Sequence, residues 1–331
     1  SVTDGTITPA ADNDIDLGSS SSEFKDLYVD GTAYVDAIGM GSTAISLPTA
    51  DGSSGQVLST NGSGALSWAS TGASSLGALS DGLTENSSLW LGNDPASTTS
   101  TAEYNIAVGT TALDAITTGD NNVAMGYNAL TANTTGKSNV AIGHAALKTN
   151  DIGRQNIAIG DSALLDLDPS QTSNGYGNVA IGSNAMEDAT YPYRNVAIGF
   201  DAYNSATTGY DNVALGYEVM ENATTAGSNV ALGYRALFGG TSSTKMTGSN
   251  NLAIGNSALY KNTTGNTNVA VGVVALYENT TGYYNTALGY ASLYRNTQGL
   301  KNVAIGTYAL FDNLSLIHIS EPTRLGMIAY A

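Results

Sequence analysis

The chain has 331 residues, a net charge of −17 and no cysteine, and charged residues make up only 12% of it. The lack of cysteine excludes disulfide bridges, and the scarcity of Lys and Arg argues against a nucleic-acid partner. No run of about 20 apolar residues is present, so we expect no membrane span. Abundant Gly, Ser, Thr and Asn fit a fibre, in which stacked rows of uncharged side chains avoid like-charge repulsion.

Residues 1–50 contain short β-prone runs that are separated by turn signals such as Asp30-Gly31. This pattern predicts a small β-rich module. Asp12, Asp14 and Asp16, with Glu23, partly fit a calcium-binding loop. The glycine that such a loop needs falls one position late and no helix is predicted beside it, so we expect no metal site.

Residues 51–87 contain an apolar run on either side of Asn61-Gly62, followed by a stretch rich in Gly and Ser. Asn-Gly between two β-prone runs is a strong hairpin signal. The segment is therefore predicted to be a β-hairpin followed by a linker.

Residues 88–313 are a repeat with a period of 17 residues. The pentapeptide Asn-aliphatic-Ala-aliphatic-Gly, with Thr once at its second position, occurs twelve times, and nine of its eleven spacings are 17 residues while two are 22. The pentapeptides begin at Asn105, Asn122, Asn139, Asn156, Asn178, Asn195, Asn212, Asn229, Asn251, Asn268, Asn285 and Asn302. Ser88-Leu89-Trp90-Leu91-Gly92 fits the same pattern 17 residues earlier and predicts an atypical first coil. A fixed period with one apolar pattern per unit indicates a solenoid.

Residues 122–138 show one whole unit. Its first five residues alternate and end at Gly126, which predicts a short strand and a turn, and Ala129-Leu130 predicts a second short strand. Thr134-Thr135-Gly136 supplies the closing corner, and a helix would not tolerate so many helix breakers. The repeat region is therefore predicted to be an all-β, parallel β-solenoid of 17-residue coils, roughly 60 Å long at about 4.8 Å per coil.

The positions of each coil are numbered here from its Asn. Alternation places positions 2 and 4 on one face and position 3 on the other. We expect positions 2 and 4 to fill the interior and the invariant Ala at position 3 to face a neighbouring subunit; the alternative is a narrow interior into which Ala points. The first interpretation predicts burial of Ile142, Leu147, Ile159, Leu164, Ile181, Ile198 and Leu215. The invariant Asn at position 1 predicts a ladder of stacked amides or a corner cap.

An aromatic column at position 10 is the candidate recognition site. Tyr260, Tyr277, Tyr294 and Phe311 occupy this position in consecutive coils and predict an aromatic ladder, which could bind sugars or protein or could simply stabilise the sheet. Two five-residue insertions, within residues 166–177 and 239–250, are further candidates because loops often carry function.

No residue set predicts catalysis, a cofactor or a metal. His144 lacks a partner at a spacing typical of metal or triad chemistry and is predicted to be a surface residue. Asp166 and Asp168 are two carboxylates in a loop, which is weak support for a glycosidase pair. We therefore expect a protein that is not an enzyme.

The Asn-Val-Ala-Ile-Gly-x-x-Ala units, as at residues 139–146, resemble the head repeats of trimeric autotransporter adhesins, and the Asn-Thr-Thr-Gly corners resemble phage tail-fibre and appendage proteins. Residues 7–32 and 55–68 resemble tail-fibre modules. The resemblance implies a left-handed β-roll and a homotrimer. It also implies a structural or adhesive fibre segment in a virion, with a host-surface glycan or protein receptor as partner; the alternative is a bacterial surface adhesin.

Two other functions are weaker interpretations of the repeats. A polysaccharide-cleaving tailspike needs paired carboxylates in a groove, and none is evident. An ice-binding solenoid needs unbroken ranks of Thr, but the Thr-Thr pairs are interrupted at residues 151–153 and 191–193.

Residues 314–331 depart from the repeat in the middle of a coil. Leu314–Arg324 resembles an in-frame translation of a sequencing-library adaptor, so residues 314–331 are predicted to be a non-biological tail.

Overall fold

The computed structural model describes residues 37–40, 43–63, 65–70, 82–92, 101–167, 175–240 and 244–313. The chain divides into two units, Ser1–Ser74 and Ser75–Ala331, and each is described by itself. The predictions for the calcium loop, for most of residues 1–50, for the linker and for the tail at residues 314–331 lie outside the described residues. The described elements are strands and turns without a helix, as an all-β fold requires.

The described residues of the first unit form two antiparallel strand pairs. Their strands are β1 (Ala37–Met40), β2 (Thr43–Ser46), β3 (Gln56–Thr60) and β4 (Leu66–Ser70). The turn between β3 and β4 holds Asn61-Gly62, as predicted. The Asn61 Oδ1 atom accepts hydrogen bonds from the Ser63 and Ala65 N–H groups at 2.8 and 3.2 Å, and Gly62 has a φ of 77°, which favours glycine.

The second unit is one sheet of 14 strands that follow each other in chain order. β5 (Gly82–Glu85) runs antiparallel to β6 (Ser88–Leu91), and every later strand is parallel to the one before it. The later strands are β7 (Ile106–Val108), β8 (Val123–Met125), β9 (Val140–Ile142), β10 (Ile157–Ile159), β11 (Val179–Ile181), β12 (Val196–Ile198), β13 (Val213–Leu215), β14 (Val230–Leu232), β15 (Leu252–Ile254), β16 (Val269–Val271), β17 (Thr286–Leu288) and β18 (Val303–Ile305).

The strand register confirms the predicted parallel β-solenoid. Val123 pairs with Val140, and Val140 pairs with Ile157, so successive coils stack residue on residue. Ile157 pairs with Val179 across the first 22-residue spacing, so the insertion leaves the register unchanged. Twelve steps of about 4.8 Å from β6 to β18 give a length of about 58 Å.

Each coil contains one strand, so the prediction of a second strand at residues 129–130 was wrong. The second half of the coil is a series of turns, with positive φ at positions 7 and 9, for example 55° at Ala145 and 51° at Leu147. This left-handed backbone turns two consecutive side chains inward, since Ala146 and Leu147 are both 0% exposed. A strand would place these two side chains on opposite faces.

The assignment of the two strand faces was also wrong, and the alternative of a narrow interior is confirmed. The Ala at position 3 is 0% exposed in the eleven coils from Ala107 to Ala287. Positions 2 and 4 point outward: Ile142, Ile159, Ile181 and Leu215 are half-buried, and Ile198 is exposed. Leu147 and Leu164 are buried as predicted. The turn side already contributes two inward side chains per coil, so the strand has room for only a methyl group.

The invariant Asn at position 1 forms the predicted amide ladder. The Asn122 N–H and Nδ2 groups both donate to Oδ1 of Asn105, at 2.9 and 3.1 Å, and Nδ2 also donates to the Gly136 carbonyl at 2.9 Å. The ladder continues to Asn302 and crosses both long spacings, as between Asn156 and Asn178. These amides satisfy buried polar groups that would otherwise destabilise the interior.

The first rung of the solenoid differs from the others as the sequence predicts. β6 pairs with β7, and Trp90 takes the place of Ala at position 3, where it is 0% exposed. β5 lies along the other edge of β6, with Leu83 opposite Trp90. A large ring and an antiparallel strand thus cover the end of the narrow interior.

Ala197→Leu tests how narrow the interior is. The added carbons have no space beside the turn side, so we expect a loss of about 1–3 kcal/mol or more in the free energy of unfolding. Thr208→Leu, at an exposed corner of the same coil, is the matched control and should change stability little. Urea unfolding followed by circular dichroism measures both. Equal stability of the two variants would contradict the interior described above.

Tyr203 is the one tyrosine at position 9 among the described coils, and it is fully buried. Its hydroxyl donates to the Ala226 carbonyl at 3.2 Å and accepts from Nδ2 of Asn212 at 3.0 Å. Burial raises the pKa of the Tyr203 phenol above its usual value. The folded state therefore favours the neutral phenol, and its contribution to stability is complete below pH about 10 and is lost as the pH rises further.

Tyr203→Phe should consequently reduce the alkaline sensitivity of the solenoid. We expect the variant to be about 1 kcal/mol less stable at pH 7, because it loses hydrogen bonds. We also expect its stability to fall less than that of the parent between pH 9 and pH 11. Urea unfolding at each pH gives the comparison, and parallel pH profiles for parent and variant would refute the assignment.

Candidate functional site

The strand face is the outward surface formed by positions 2 and 4 of the twelve coils. It carries 23 aliphatic residues or methionine and one Thr, Thr286, and no charged residue. Its side chains remain half-buried or exposed in the single chain, with 41% exposure at Ile106 and 42% at Met125. The face measures about 60 Å by about 10 Å, or about 600 Å². That area lies at the upper end of the range of about 300–600 Å² for the largest apolar patch on a typical monomer, and such patches often mark interaction sites.

Position 6, one residue after the Gly corner, forms the trailing edge of the strand face. Phe200, Tyr217 and Tyr234 stack there with ring centroids 5.3 and 5.6 Å apart, and all three are more than 40% exposed. Tyr127 stacks on His144 in the same column, and His144 Nδ1 lies 2.7 Å from Oδ1 of Asp161. His144 is thus an exposed residue, as predicted.

Position 16, before the corner that leads into the next strand, forms the leading edge of the strand face. Tyr176, Tyr193 and Tyr210 stack there with centroids 6.0 and 5.3 Å apart. Arg194, the next residue after Tyr193, lies over that ring and makes two hydrogen bonds to Asp211, at 2.7 and 2.8 Å. The Arg194 hydrogen bonds hold the pKa of the Asp211 carboxyl below its usual value.

The turn face, opposite the strand face within each coil, carries the predicted aromatic ladder at position 10. Five rings stack almost parallel, with centroid distances of 4.9, 5.0, 5.1 and 5.0 Å. They belong to Phe238, Tyr260, Tyr277, Tyr294 and Phe311. Because each ring covers a face of the next, the inner rings can present only their edges and hydroxyl groups to a ligand. The stacking is as predicted, and the binding role stays a prediction.

Sequence reasoning missed Phe238 as the first ring of this ladder. It occupies position 10 like the others, but the second insertion follows it and separates it from Tyr260 by 22 residues. Counting positions from each Asn rather than between neighbouring rings would have found it.

Ion pairs between consecutive coils accompany the ladder. The Lys261 ammonium lies 2.7 Å from Oε2 of Glu278 and 5.6 Å from the centroid of the Tyr277 ring. Arg295 pairs with Asp312 at 2.8 Å. Burial, together with the neighbouring Tyr260 and Tyr294, raises the pKa of the Tyr277 phenol. Lys261 and Arg295 are therefore neutralised within the chain.

The described residues contain no cluster of His, Asp or Glu that could hold a metal ion. Asp166 and Glu187 are two acidic residues of neighbouring coils. Partial burial is the main cause that raises the pKa of each carboxyl group. Asp168, the predicted partner of Asp166, lies outside the described residues. At the corner, the Thr263 and Thr280 hydroxyls donate to carbonyls of the next coil at 3.0 Å, so they stabilise the stack.

No family model, no curated protein and no solved structure matches this chain. Within the described residues, no helix is long and apolar enough to cross a membrane.

Proposed function

We propose that this chain is a structural and adhesive segment of a fibre, a phage tail fibre or virion appendage, and that it works as a homotrimer. The observation that carries the proposal is the strand face, which is uncharged and aliphatic over the whole length of the solenoid. A fibre that exposed this face along about 58 Å would aggregate, so the face needs a permanent cover.

Copies of the same chain are the cover that fits best. The strand face is flat and regular, and a symmetric ring closes without leaving one face free. Each protomer would bury about 600 Å² of aliphatic surface plus its aromatic edges, which approaches the roughly 800 Å² per partner of a stable interface. The resemblance of the repeats to trimeric adhesin heads favours three copies. The contact consists of positions 2 and 4, and the Ala column stays inside each chain.

The turn face is the surface that a trimer would leave open, and we propose that it contacts the receptor. The hydroxyl groups of Tyr260, Tyr277 and Tyr294 recur at about the 5.0 Å spacing of the rings. Rows of hydroxyl groups can hydrogen-bond to a glycan or to a protein surface. The same geometry fits a bacterial surface adhesin, and neighbouring tail genes or a membrane anchor in the full gene would decide between the two.

Ile198→Arg tests the trimer. It would place three unpaired charges at the threefold contact, and we expect the trimer to dissociate or to lose most of its stability. Thr208→Arg adds the same charge at an exposed corner and should leave the trimer unchanged. Multi-angle light scattering gives the masses. A monomeric parent, or an Ile198→Arg trimer as stable as the parent, would refute the proposal.

The receptor surface is tested by a triple variant, Tyr260→Phe, Tyr277→Phe and Tyr294→Phe. It keeps the stacked rings and removes only their hydroxyl groups, so we expect an unchanged trimer that binds bacterial cells at least about tenfold more weakly. Tyr104→Phe, at an exposed tyrosine outside the ladder, is the control. Flow cytometry of a panel of bacterial strains with labelled protein is the measurement. Full binding by the triple variant would exclude the ladder as the receptor site.

A further inference from the structure

We propose that the trimer closes along a specific seam, in which the leading edge of one protomer contacts the trailing edge of the next at equal height. In this seam Tyr193 meets the next protomer's Phe200, and Tyr210 meets its Tyr217. The inference rests on the proposed trimer and assigns the side chains that select the partner and its register.

Symmetry sets which edges meet. When three identical solenoids surround an axis parallel to their own, with the strand faces inward, each leading edge lies beside the trailing edge of the neighbour. A pure threefold rotation includes no shift along the axis, so residues that flank the same strand meet. The seam can therefore be identified from the two columns that flank each strand in one chain.

Aromatic rings occupy both edges at three strands, the adjacent β12 and β13 and also β17 (Thr286–Leu288), which Tyr283 precedes and Tyr290 follows. β12 (Val196–Ile198) follows Tyr193 and precedes Phe200, and β13 (Val213–Leu215) follows Tyr210 and precedes Tyr217. The rings on each edge stack in a column, Tyr193 on Tyr210 and Phe200 on Tyr217. Phe200, Tyr210 and Tyr217 are at least 37% exposed. Rings that are exposed on both edges at one height can cover each other once the edges meet.

The charges on the two edges agree with the same pairing. At β10 (Ile157–Ile159) the leading edge carries Arg154, which lies over the Tyr176 ring and makes no ion pair with another described residue. The trailing edge carries Asp161, whose carboxylate contacts His144. Arg154 and Asp161 would face each other across the seam with opposite charge. Around β13, Asp211 and Glu218 are each neutralised within the chain, by Arg194 and Arg235, so equal height brings together no unpaired like charges.

Engineered disulfides test the seam, because the chain contains no native cysteine. We expect Tyr193→Cys/Phe200→Cys to yield covalent trimers on a non-reducing gel after mild oxidation, whereas each single variant stays monomeric on the gel. Within one chain the two positions are separated by a whole strand of about 10 Å, too far for a disulfide. Arg154→Cys/Asp161→Cys is a second pair at exposed positions and should give the same covalent trimers.

Two controls separate the possible outcomes. Tyr193→Cys/Tyr234→Cys lies two coils out of register, a displacement of about 10 Å, and Tyr193→Cys/Tyr277→Cys pairs the edge with the turn face; neither should cross-link. Trimers by light scattering without cross-links at the first two pairs would overturn the seam and leave the trimer standing. Cross-links in the out-of-register pair would overturn equal height, and a monomeric protein would overturn the proposed trimer itself.

Discussion

The narrowness of the interior is the constraint on which the rest of this structure depends. In each coil from β7 to β17 the turn side buries two consecutive side chains, and the strand opposite can add only the methyl group of Ala. The larger aliphatic residues of the strand, although they are the most apolar residues in each repeat, have to point outward. A solenoid of this width cannot bury all of its own apolar surface, and the surplus forms one continuous face. The proposed association of copies would cover this surplus, which follows from the cross-section of a single coil.

Stacking of identical side chains supplies the stability that such a thin interior lacks. The amides of the Asn ladder satisfy one another from Asn105 to Asn302, and each aromatic column places a ring against the ring of the next coil. Surface charges follow the same rule, since Lys261 and Arg295 pair with acids one coil further on. Each interaction needs equivalent positions of neighbouring coils to stay aligned, so together they penalise any slip of the chain by one residue.

The sequence predicted what depends on periodicity and failed where the answer depends on backbone conformation. The period, the strand at each pentapeptide, the Asn ladder and the stacked rings from Tyr260 to Phe311 all follow from spacing. Alternation along Val140–Ile142 separates two faces but does not say which one lies inside. That choice depends on the left-handed backbone conformation at positions 7 and 9, as at Ala145 and Leu147. Residues with bulky side chains seldom adopt this conformation, and no sequence propensity indicates it here. The invariance of Ala at position 3 was the sequence signal for its place in the interior, since a narrow interior excludes large side chains as strictly as a close subunit contact does.

The direction of the backbone hydrogen bonds has a mechanical consequence. These bonds join one coil to the next along the axis, as from the Val123 N–H group to the Asn139 carbonyl at 2.8 Å. A force applied to the two ends of a single chain would load only the outermost coil and would peel coils away one after another. Each release would add about 17 residues of slack, or about 56 Å of extended chain. Neighbouring protomers that hold every coil at equal height would resist this peeling, so a bundle of three would carry a steady pull that a lone chain would yield to in steps.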